Sequence, residues 1–200
     1  MNVIMRIVLI FFKFGSVFYK MDNQVIKILQ TGGVGVLLTD TLYGLVGSAL
    51  NKKTVARIYK LKYRQNHKPP IVLIASIEDL KIFGIEINNG IKESLKNIWP
   101  GPVSVILPCP YKKFEYLHRG TKTLAVRWPD KKSLINILKK TGPLVAPSAN
   151  VEGLPHAKNI KEAKNYFNDE VDFYVAQSGT KNKPSRIIRI DKDGIVVLRE

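Results

Sequence analysis

Residues 34–44 read VGVLLTDTLYG, an apolar run followed directly by a polar turn. Val34 to Leu38 has the length of a strand and no polar position, which is typical of a strand buried on both faces of a sheet. Residues 39–44 then place two hydroxyls, a carboxylate, a phenol and a turn glycine after that strand. Because ligands of α/β sheets gather at the carboxyl ends of strands, the segment is a candidate site for a small zwitterion. A plain turn explains it equally well, since Thr, Asp and Gly are turn formers.

Further apolar runs of strand length alternate with amphipathic helical segments along the chain. The other predicted strands cover residues 71–75, 103–107, 123–128, 173–176, 186–190 and 195–198. Helices are predicted from Asp22 or Asn23 to Gln30, from the cap Asn51 onward, over 89–98, from the cap Asp130 to Gly142, and over 160–167. This alternation predicts a single mixed α/β domain.

The composition is that of a globular, strongly basic protein. Apolar residues make up 45% of the 200 positions, and 32 Lys plus Arg against 16 Asp plus Glu give a net charge of +16. Such an excess favours polyanionic partners, nucleotides or RNA, although a lysine-rich solubilising surface accounts for the total equally well. Cys109 is the single cysteine and the three histidines are scattered, so neither an intramolecular disulfide nor a structural zinc site is expected.

The first twenty residues are interpreted separately from the domain. Their apolar run, residues 7–12, is bracketed by Arg6 and Lys13 and is far shorter than the roughly 20 residues that span a bilayer. It also lacks the features of a secretory signal. We therefore expect no membrane association, and we interpret residues 1–20 as a dispensable or misassigned extension and residues 21–200 as the functional domain.

The strongest hint of anion binding is the stretch 51–77, which holds seven Lys or Arg and no acidic residue. Its centre, residues 60–69, reads KLKYRQNHKP. Arg can grip a phosphate with two hydrogen bonds, and Lys supplies a point charge. Tyr59 and Tyr63 among the cations also suit base stacking in RNA binding. The stretch predicts a phosphate ligand without deciding which one.

Four other segments carry polar groups beside predicted strands, and each has an ordinary structural explanation. Trp99, in WPGP at 99–102, is interpreted as a core residue. Arg127, at the end of TLAVR, is expected either to pair with an internal carboxylate or to hold a ligand carboxylate. The remaining candidates are PSAN at 147–150, Ser185 and Arg199.

Taken together and in order, these segments resemble the YrdC-type threonylcarbamoyl-adenylate synthases in their short, single-domain form. The matching segments are TDTLYGL at 39–45, KYRQNHKP at 62–69, WPGPVS at 99–104, TLAVRWP at 123–129 and PSANVEG at 147–153, followed by Ser185 and the pair Leu198-Arg199. They extend over about residues 30–199. Glu152 stands where the family has a serine, and Lys158 stands where a nucleotide-side hydroxyl is often found.

The resemblance implies a twisted open sheet flanked by helices, with a positively charged concave face. It implies a nucleotidyltransferase that converts L-threonine, bicarbonate or CO2, and ATP with Mg²⁺ into threonylcarbamoyl-AMP and pyrophosphate. Carried over by position, the threonine-binding residues are Thr41, Arg127, Ser148 and Ser185. The ATP-binding residues are Lys62, Arg64, Lys68, Thr123, Asn150 and Arg199, of which Lys62 and Arg64 are the expected catalytic residues.

The expected partners are the small substrates, a downstream threonylcarbamoyl-transferase complex, and tRNA or double-stranded RNA, in the cytoplasm. A rival hypothesis uses the same basic stretch in a non-catalytic module that binds double-stranded RNA or tRNA. A third hypothesis, a carbamoyl-handling domain of hydrogenase maturation, normally belongs to a far longer chain. Threonine-dependent pyrophosphate release distinguishes the three.

Overall fold

The molecule is organised by one β-sheet, whose strands come from nearly the whole of the described chain. A computed structural model describes residues 8–10, 16–177, 183–191 and 194–200, with backbone alone for 8–10, 16–22, 191 and 194. Within these ranges ten strands form one mixed sheet in the order β1-β8-β2-β3-β7-β4-β6-β5-β9-β10. They are β1 Val8–Ile10, β2 Val34–Leu38, β3 Tyr43–Ser48, β4 Ile71–Leu73, β5 Val103–Pro108, β6 Thr123–Arg127, β7 Leu144–Val145, β8 Phe173–Val175, β9 Arg186–Asp191 and β10 Gly194–Arg199.

The helices connect these strands. They are α1 Ser16–Gln30, α2 Lys52–Lys62, α3 Asn89–Lys96, α4 Glu115–His118, α5 Lys132–Thr141 and α6 Ile160–Phe167, with 3₁₀ helices at Ile77–Phe83 and Lys112–Phe114. The mixed α/β class and the single sheet flanked by helices are thus confirmed. In the described residues no helix is both long and apolar enough to cross a bilayer.

Asparagine side chains cap three of the helices, which accounts for where those helices begin. The side chain of Asn51 accepts hydrogen bonds from the amides of Lys53 and Thr54, as predicted for the start of α2. Asn88 and Asn159 do the same for α3 and α6. The prediction for α5 was wrong at its start, because Lys131 rather than Asp130 occupies the cap position, without a side-chain cap bond.

Among the other differences from the sequence-based expectation are the start of one helix and one whole strand. Helix α1 begins at Ser16, whereas the predicted cap was Asp22 or Asn23. Strand β3 is not predicted by its pattern, because two of its six residues are glycines, which weaken strand propensity. Val8–Ile10 pairs in parallel with β8. The other residues of the proposed extension, 1–7 and 11–15, lie outside the described residues, and whether residues 1–20 are dispensable stays a prediction.

The sheet buries apolar side chains on both faces, as its continuous apolar strands predict. Along β2, Val36 packs into one cluster, with residues of α2, α3, α4 and α6, and Leu37 packs into the other, with α1 and α5. Trp99 lies in the first cluster and its ring nitrogen donates to the carbonyl of Val103 at 2.7 Å, which confirms its core role. Helices α2 and α5 therefore lie on opposite faces of the sheet.

Asp172 ties the first cluster's helix α2 to the sheet. Its buried carboxylate accepts from the amide of Val34 at 2.7 Å and from the guanidinium of Arg57 at 2.6 Å. Arg57 also donates to the carbonyl of Glu170 at 2.6 Å. The side chain of Asp172 therefore accepts from the first amide of β2 and, through Arg57, attaches α2 to the sheet.

Replacing Asp172 should destabilise the fold. We expect Asp172→Ala to lower the free energy of unfolding by about 2–4 kcal/mol, because it leaves a buried amide without an acceptor and removes the ion partner of Arg57. Urea unfolding measures the change. The matched control is Glu93→Ala, which removes an exposed ion pair with Lys96 and should cost less than about 0.5 kcal/mol. Equal losses in the two variants would contradict the role given to Asp172.

Candidate active site

Five of the ten residues predicted for the site line one small cavity. Its volume is about 80 Å³. The five are Thr41, in the turn between β2 and β3; Arg127, the last residue of β6; Ser148, just after β7; Ser185, just before β9; and Arg199, the last residue of β10. All four predicted threonine-binding residues are thus brought together by segments far apart in the sequence.

The turn after β2 presents a hydroxyl to the cavity through a local hydrogen-bond network. The hydroxyl of Thr39 donates to the carbonyl of Leu42 at 2.7 Å and lies 3.1 Å from the hydroxyl of Thr41. It also accepts from the amides of Thr41 and Leu42, each at 3.2 Å. Thr39 therefore organises the turn, which is what its position in the TDT segment signals, and Thr41 is held with its hydroxyl at the cavity wall.

A second hydroxyl, that of Ser185, is fixed from two sides. Its oxygen lies 3.0 Å from the hydroxyl of Ser104, which is fully buried. The guanidinium of Arg199 donates to the carbonyl of Ser185 at 2.7 and 3.1 Å and to its hydroxyl at 3.2 Å. Arg199, which was predicted on the ATP side, therefore contacts a residue predicted on the threonine side. Burial lowers the pKa of Arg199 below its ordinary value.

Arg127 brings a buried positive charge to the cavity, and Asp40 compensates it. The guanidinium lies 3.2 Å from the carboxylate of Asp40, and both side chains are at most 5% exposed. Burial lowers the pKa of Arg127, the carboxylate of Asp40 opposes that shift, and the charge of Arg199 adds to it. The Nε of Arg127 and both oxygens of Asp40 are buried without a hydrogen bond. Of the two expectations for Arg127, pairing with an internal carboxylate is therefore met, and one of its donors remains unused.

Lys62 links the basic stretch to the Ser148 segment. Its ammonium is buried and donates to the carbonyl of Ser148 at 2.5 Å, to the carbonyl of Asn150 at 2.7 Å and to the side-chain oxygen of Asn150 at 3.2 Å. Burial, followed by the charge of Arg64, lowers the pKa of Lys62 to about 7, while Glu152 opposes the shift. All three ammonium donors have acceptors, so a contact with a phosphate requires one of these bonds to be exchanged.

The other cations of the basic stretch lie on the outer side of this link. Arg64 donates from Nε to the carbonyl of Lys68 at 3.1 Å and from Nη2 to that of Pro69 at 3.0 Å. Lys68 is ion-paired with Glu152 at 2.7 Å, and Glu152 also accepts from the amide of Gln65 at 2.6 Å. These contacts lower the pKa of Glu152. Glu152, one of the two residues that depart from the family pattern, is thus a counter-ion of the cations predicted to bind phosphate.

The remaining two predicted ATP-binding residues, Asn150 and Thr123, also lie outside the lining of the cavity. Asn150 belongs to the link, because its side-chain oxygen accepts from Lys62 and, at 2.6 Å, from the hydroxyl of Ser148. Thr123 is not among the cavity-lining residues, and its hydroxyl donates to that of Thr121 at 3.2 Å.

Sequence reasoning missed a hydrogen-bonded lysine, Lys131, beside the cavity. The ammonium of Lys131 donates to the carbonyl of Leu38 at 2.7 Å and to the side chain of Gln177 at 2.5 Å. The phenol of Tyr43 donates to the carbonyl of Gln177 at 2.6 Å and accepts from its amide at 3.2 Å. Burial lowers the pKa of Lys131 to about 8, and the charge of Asp40 opposes the shift. Tyr43 belongs to the quoted turn, whereas no pattern in the sequence marks Lys131.

The electrostatics of the site favour a small anion or zwitterion. Arg127 and Arg199 line the cavity, and Lys62 and Lys131 donate to the backbone beside it. The carboxylate of Asp40 is ion-paired with Arg127, and that of Glu152 acts on Lys62 from the outer side. In a partly buried site these positive charges act in a lower effective dielectric than at the surface. The hydroxyls of Thr41, Ser148 and Ser185 add neutral donors and acceptors for orientation.

Comparison with known proteins gives a consistent family match. The family model Sua5/YciO/YrdC, described as "Telomere recombination", matches residues 27–200. The chain is 35% identical over 134 residues to threonylcarbamoyl-AMP synthase of Bacillus subtilis, a match that covers 66% of this chain and 39% of that protein. It is 33% identical over 162 residues to the protein of the same name in Marinobacter nauticus, covering 80% of this chain and 85% of that protein.

A solved structure extends the comparison to the fold. The crystal structure of P. abyssi Sua5 complexed with L-threonine superposes with a TM-score of 0.85 at 26% identity, covering 97% of this chain and 57% of that chain. The chain thus spans less than half of the length of the B. subtilis relative and most of the length of the Marinobacter one.

The buried ammonium of Lys62 predicts a pH-dependent stability. Its pKa is about 7 in the folded protein and near 10.5 in the unfolded chain, so the unfolded state holds more protons between these values. Stability should therefore rise with pH across that window, by up to about 1.4 kcal/mol per pH unit for this group. We expect the unfolding free energy of the wild type to rise relative to that of Lys62→Met between pH 7 and pH 9. A constant difference would show that the carbonyl acceptors keep Lys62 charged.

Proposed function

The chain belongs to the Sua5/YciO/YrdC family, and from that premise we propose that it is an L-threonylcarbamoyladenylate synthase. This nucleotidyltransferase would form threonylcarbamoyl-AMP and pyrophosphate from L-threonine, bicarbonate or CO2, and ATP. The observation that carries the proposal is the convergence of Thr41, Arg127, Ser148 and Ser185 on one cavity. The names of the relatives from Bacillus and Marinobacter support the same reaction.

The cavity suits threonine in size and in chemistry. At about 80 Å³ it is far smaller than the roughly 300–1,000 Å³ of pockets that enclose drug-sized ligands, so a nucleotide does not fit inside it. Arg127, whose Nε has no hydrogen-bond partner in the protein, suits the carboxylate of an amino acid. The hydroxyls of Thr41 and Ser148 suit the side-chain hydroxyl and the main-chain amino group of a threonine ligand. We therefore assign the cavity to threonine.

ATP is assigned to the outer side of the Lys62 link. Arg64 and Lys68 lie on the segment that follows α2, and Asn150 connects that segment to the Ser148 hydroxyl through Lys62. An α-phosphate placed there would lie beside the threonine cavity. Arg64 and Lys62 would neutralise the charge that develops on the phosphate, with help from Lys68, Arg199 and the hydroxyl of Thr123.

The reaction needs positioning rather than a protein nucleophile. The neutral amine of threonine attacks the carbon of CO2, forms a C–N bond and gives up a proton to solvent, which leaves an N-carboxylate. An oxygen of this carboxylate then attacks the α-phosphorus of ATP. The bond between that phosphorus and the oxygen that bridges to the β-phosphate breaks, and pyrophosphate leaves with the bridging oxygen. Orientation and charge neutralisation account for most of the catalysis in transfers of this type. The cavity orients the amine, and the cations face the phosphates.

Mg²⁺ would enter with the triphosphate and neutralise part of its charge. Asp40, the carboxylate beside the cavity, is already ion-paired with Arg127. The described residues contain no group of three or more His, Cys, Asp or Glu that could hold a metal ion. The phosphate oxygens are therefore the proposed ligands, and Lys62, Arg64 and Lys68 complete the neutralisation.

The product is a mixed anhydride, whose reactivity requires an acceptor close at hand. We propose that a threonylcarbamoyl-transferase complex consumes it to modify an adenosine of tRNA in the cytoplasm. Contact of this chain with tRNA or double-stranded RNA is part of the same proposal. The rival non-catalytic module would bind RNA with the same cations but would release no pyrophosphate.

Pyrophosphate release tests the function directly. With ATP and bicarbonate, we expect release that depends on L-threonine, and we expect Arg64→Ala to lower its rate about a hundredfold, because one charged contact in such a site contributes about 3 kcal/mol. Lys60→Ala is the matched control, since Lys60 is an exposed cation four residues earlier on α2. Absence of threonine dependence would refute the function. Wild-type turnover in Arg64→Ala would refute the placement of ATP.

Glu152 offers a second test on the nucleotide side. Because it pairs with Lys68 and with the amide of Gln65, its removal should free Lys68 for a phosphate. We expect Glu152→Ser to lower the KM for ATP several-fold, with little change in the KM for threonine. Glu93→Ser, which removes the exposed partner of Lys96, should change neither constant. An unchanged KM for ATP in Glu152→Ser would separate Lys68 from the nucleotide.

A further inference from the structure

Lys131 lies beside the threonine cavity, although it is not among the residues that line it. It comes immediately before α5, where its backbone is extended, with φ of −149° and ψ of 106°, and its side chain makes no cap bond to the helix. The ammonium donates instead to the carbonyl of Leu38 at 2.7 Å and to the side-chain oxygen of Gln177 at 2.5 Å. The proposed reaction steps do not use this lysine.

The two acceptors of Lys131 hold both ends of the turn that carries Thr41. Leu38 is the last residue of β2 and pairs with Tyr43, the first residue of β3, so this pair closes the turn. Lys131 binds the carbonyl of Leu38 directly. At the other end, the phenol of Tyr43 donates to the carbonyl of Gln177 at 2.6 Å and accepts from its amide at 3.2 Å. Because the side chain of Gln177 accepts from Lys131, a closed ring of contacts surrounds the base of the turn.

The position of this turn decides the shape of the cavity. Thr41, Leu42 and Tyr43 all line the cavity, so a displaced turn would move the hydroxyl of Thr41 relative to the other walls. The hydrogen bonds of Thr39 fix the shape of the turn from within. Lys131 fixes where the turn lies relative to α5, which no contact inside the turn can do.

Lys131 also shares a carboxylate with Arg127. Asp40 lies 3.2 Å from the guanidinium of Arg127. Burial lowers the pKa of Lys131 to about 8, and the negative charge of Asp40 opposes that shift. One carboxylate therefore attracts two cations from different elements. Since Lys131 offsets part of the charge of Asp40, more of the positive charge of Arg127 remains for a carboxylate in the cavity.

We propose that Lys131 is a positioning residue for the threonine cavity: it fixes the turn that carries Thr41 and adds to the positive charge that attracts the ligand carboxylate. The inference rests on the proposed function, because it concerns how the same cavity recognises L-threonine. In this role Lys131 contacts the protein and not the ligand, and it acts through Leu38, Gln177 and Asp40. An apolar side chain of similar length would avoid the cost of dehydrating an ammonium, so the fold alone does not require a cation here.

The test compares Lys131→Met with wild type in threonine-dependent pyrophosphate release and in calorimetric binding of L-threonine without ATP. At pH 7 we expect the KM and the Kd for threonine to rise about tenfold, with kcat and the KM for ATP within about twofold of wild type. Gln177→Leu, which removes one acceptor from the ring, should raise the Kd for threonine several-fold. Lys132→Met is the matched control, because Lys132 is the next residue and is exposed, and it should leave every constant unchanged.

The pH dependence separates a charged positioning group from a side chain that only fills space. Because the pKa of Lys131 is about 8, the wild-type ammonium loses most of its charge between pH 7 and pH 9, whereas methionine has none to lose. The roughly tenfold ratio of the two Kd values at pH 7 should therefore fall to about two- to threefold at pH 9. The titrating amine of threonine is common to both measurements, so it cancels in the ratio. So do the charged or titratable groups around or beside Lys131, which are Asp40, Arg127, Tyr43, Asp130 and Lys132.

Four outcomes would overturn the proposal. They are a ratio that stays constant from pH 7 to pH 9, a fall in kcat with an unchanged KM for threonine, an equal rise in the KM values of both substrates, and a wild type that binds no threonine. If Lys131→Met does not fold, an unchanged Kd for threonine in Gln177→Leu would overturn it. Wild type that binds threonine but releases no pyrophosphate would refute the proposed function alone, because the calorimetric comparison still tests Lys131.

Discussion

The buried ammonium of Lys62 is the interaction on which the site depends. Placing an amine in a nearly water-free position is costly, and the three oxygen acceptors of Ser148 and Asn150 offset that cost. These hydrogen bonds hold the end of α2 against the loop after β7, although 86 residues separate Lys62 from Ser148. The hydroxyl that faces the cavity and the cations that follow α2 therefore hold fixed positions relative to each other.

The second constraint is the balance of charge around the cavity. Arg127 is buried beside Asp40, and Arg199 is close enough to disfavour its charge further. One carboxylate does not neutralise two guanidinium groups, so the cavity keeps a net positive charge. The proposed substrate carries a carboxylate, and then gains a second one on its amine, so its negative charge would offset that excess.

Local patterns in the sequence predicted the elements and much of the site, but not the long-range pairing. Val34–Leu38 is continuous and apolar, and Asn51 is a strong cap, so both appear in the structure as predicted. Strand β3 depends instead on its neighbours, since its glycines accept close packing against other elements. The family resemblance named Arg127, Ser148 and Lys62, but the pairing of Arg127 with Asp40 and that of Lys62 with Ser148 are set by tertiary contacts that no spacing encodes.

The cavity and the basic segment that follows α2 differ in what they can hold. The cavity is small, partly enclosed and lined by hydroxyls, so it selects a compact ligand by shape and hydrogen bonding. The basic segment is held by Tyr59, whose hydroxyl donates to the carbonyl of Lys68 at 2.7 Å and whose ring centroid lies 5.8 Å from the guanidinium of Arg64 and 3.9 Å from that of Arg119. This aromatic ring therefore fixes cations that lie outside the cavity, where charge rather than shape decides what is attracted.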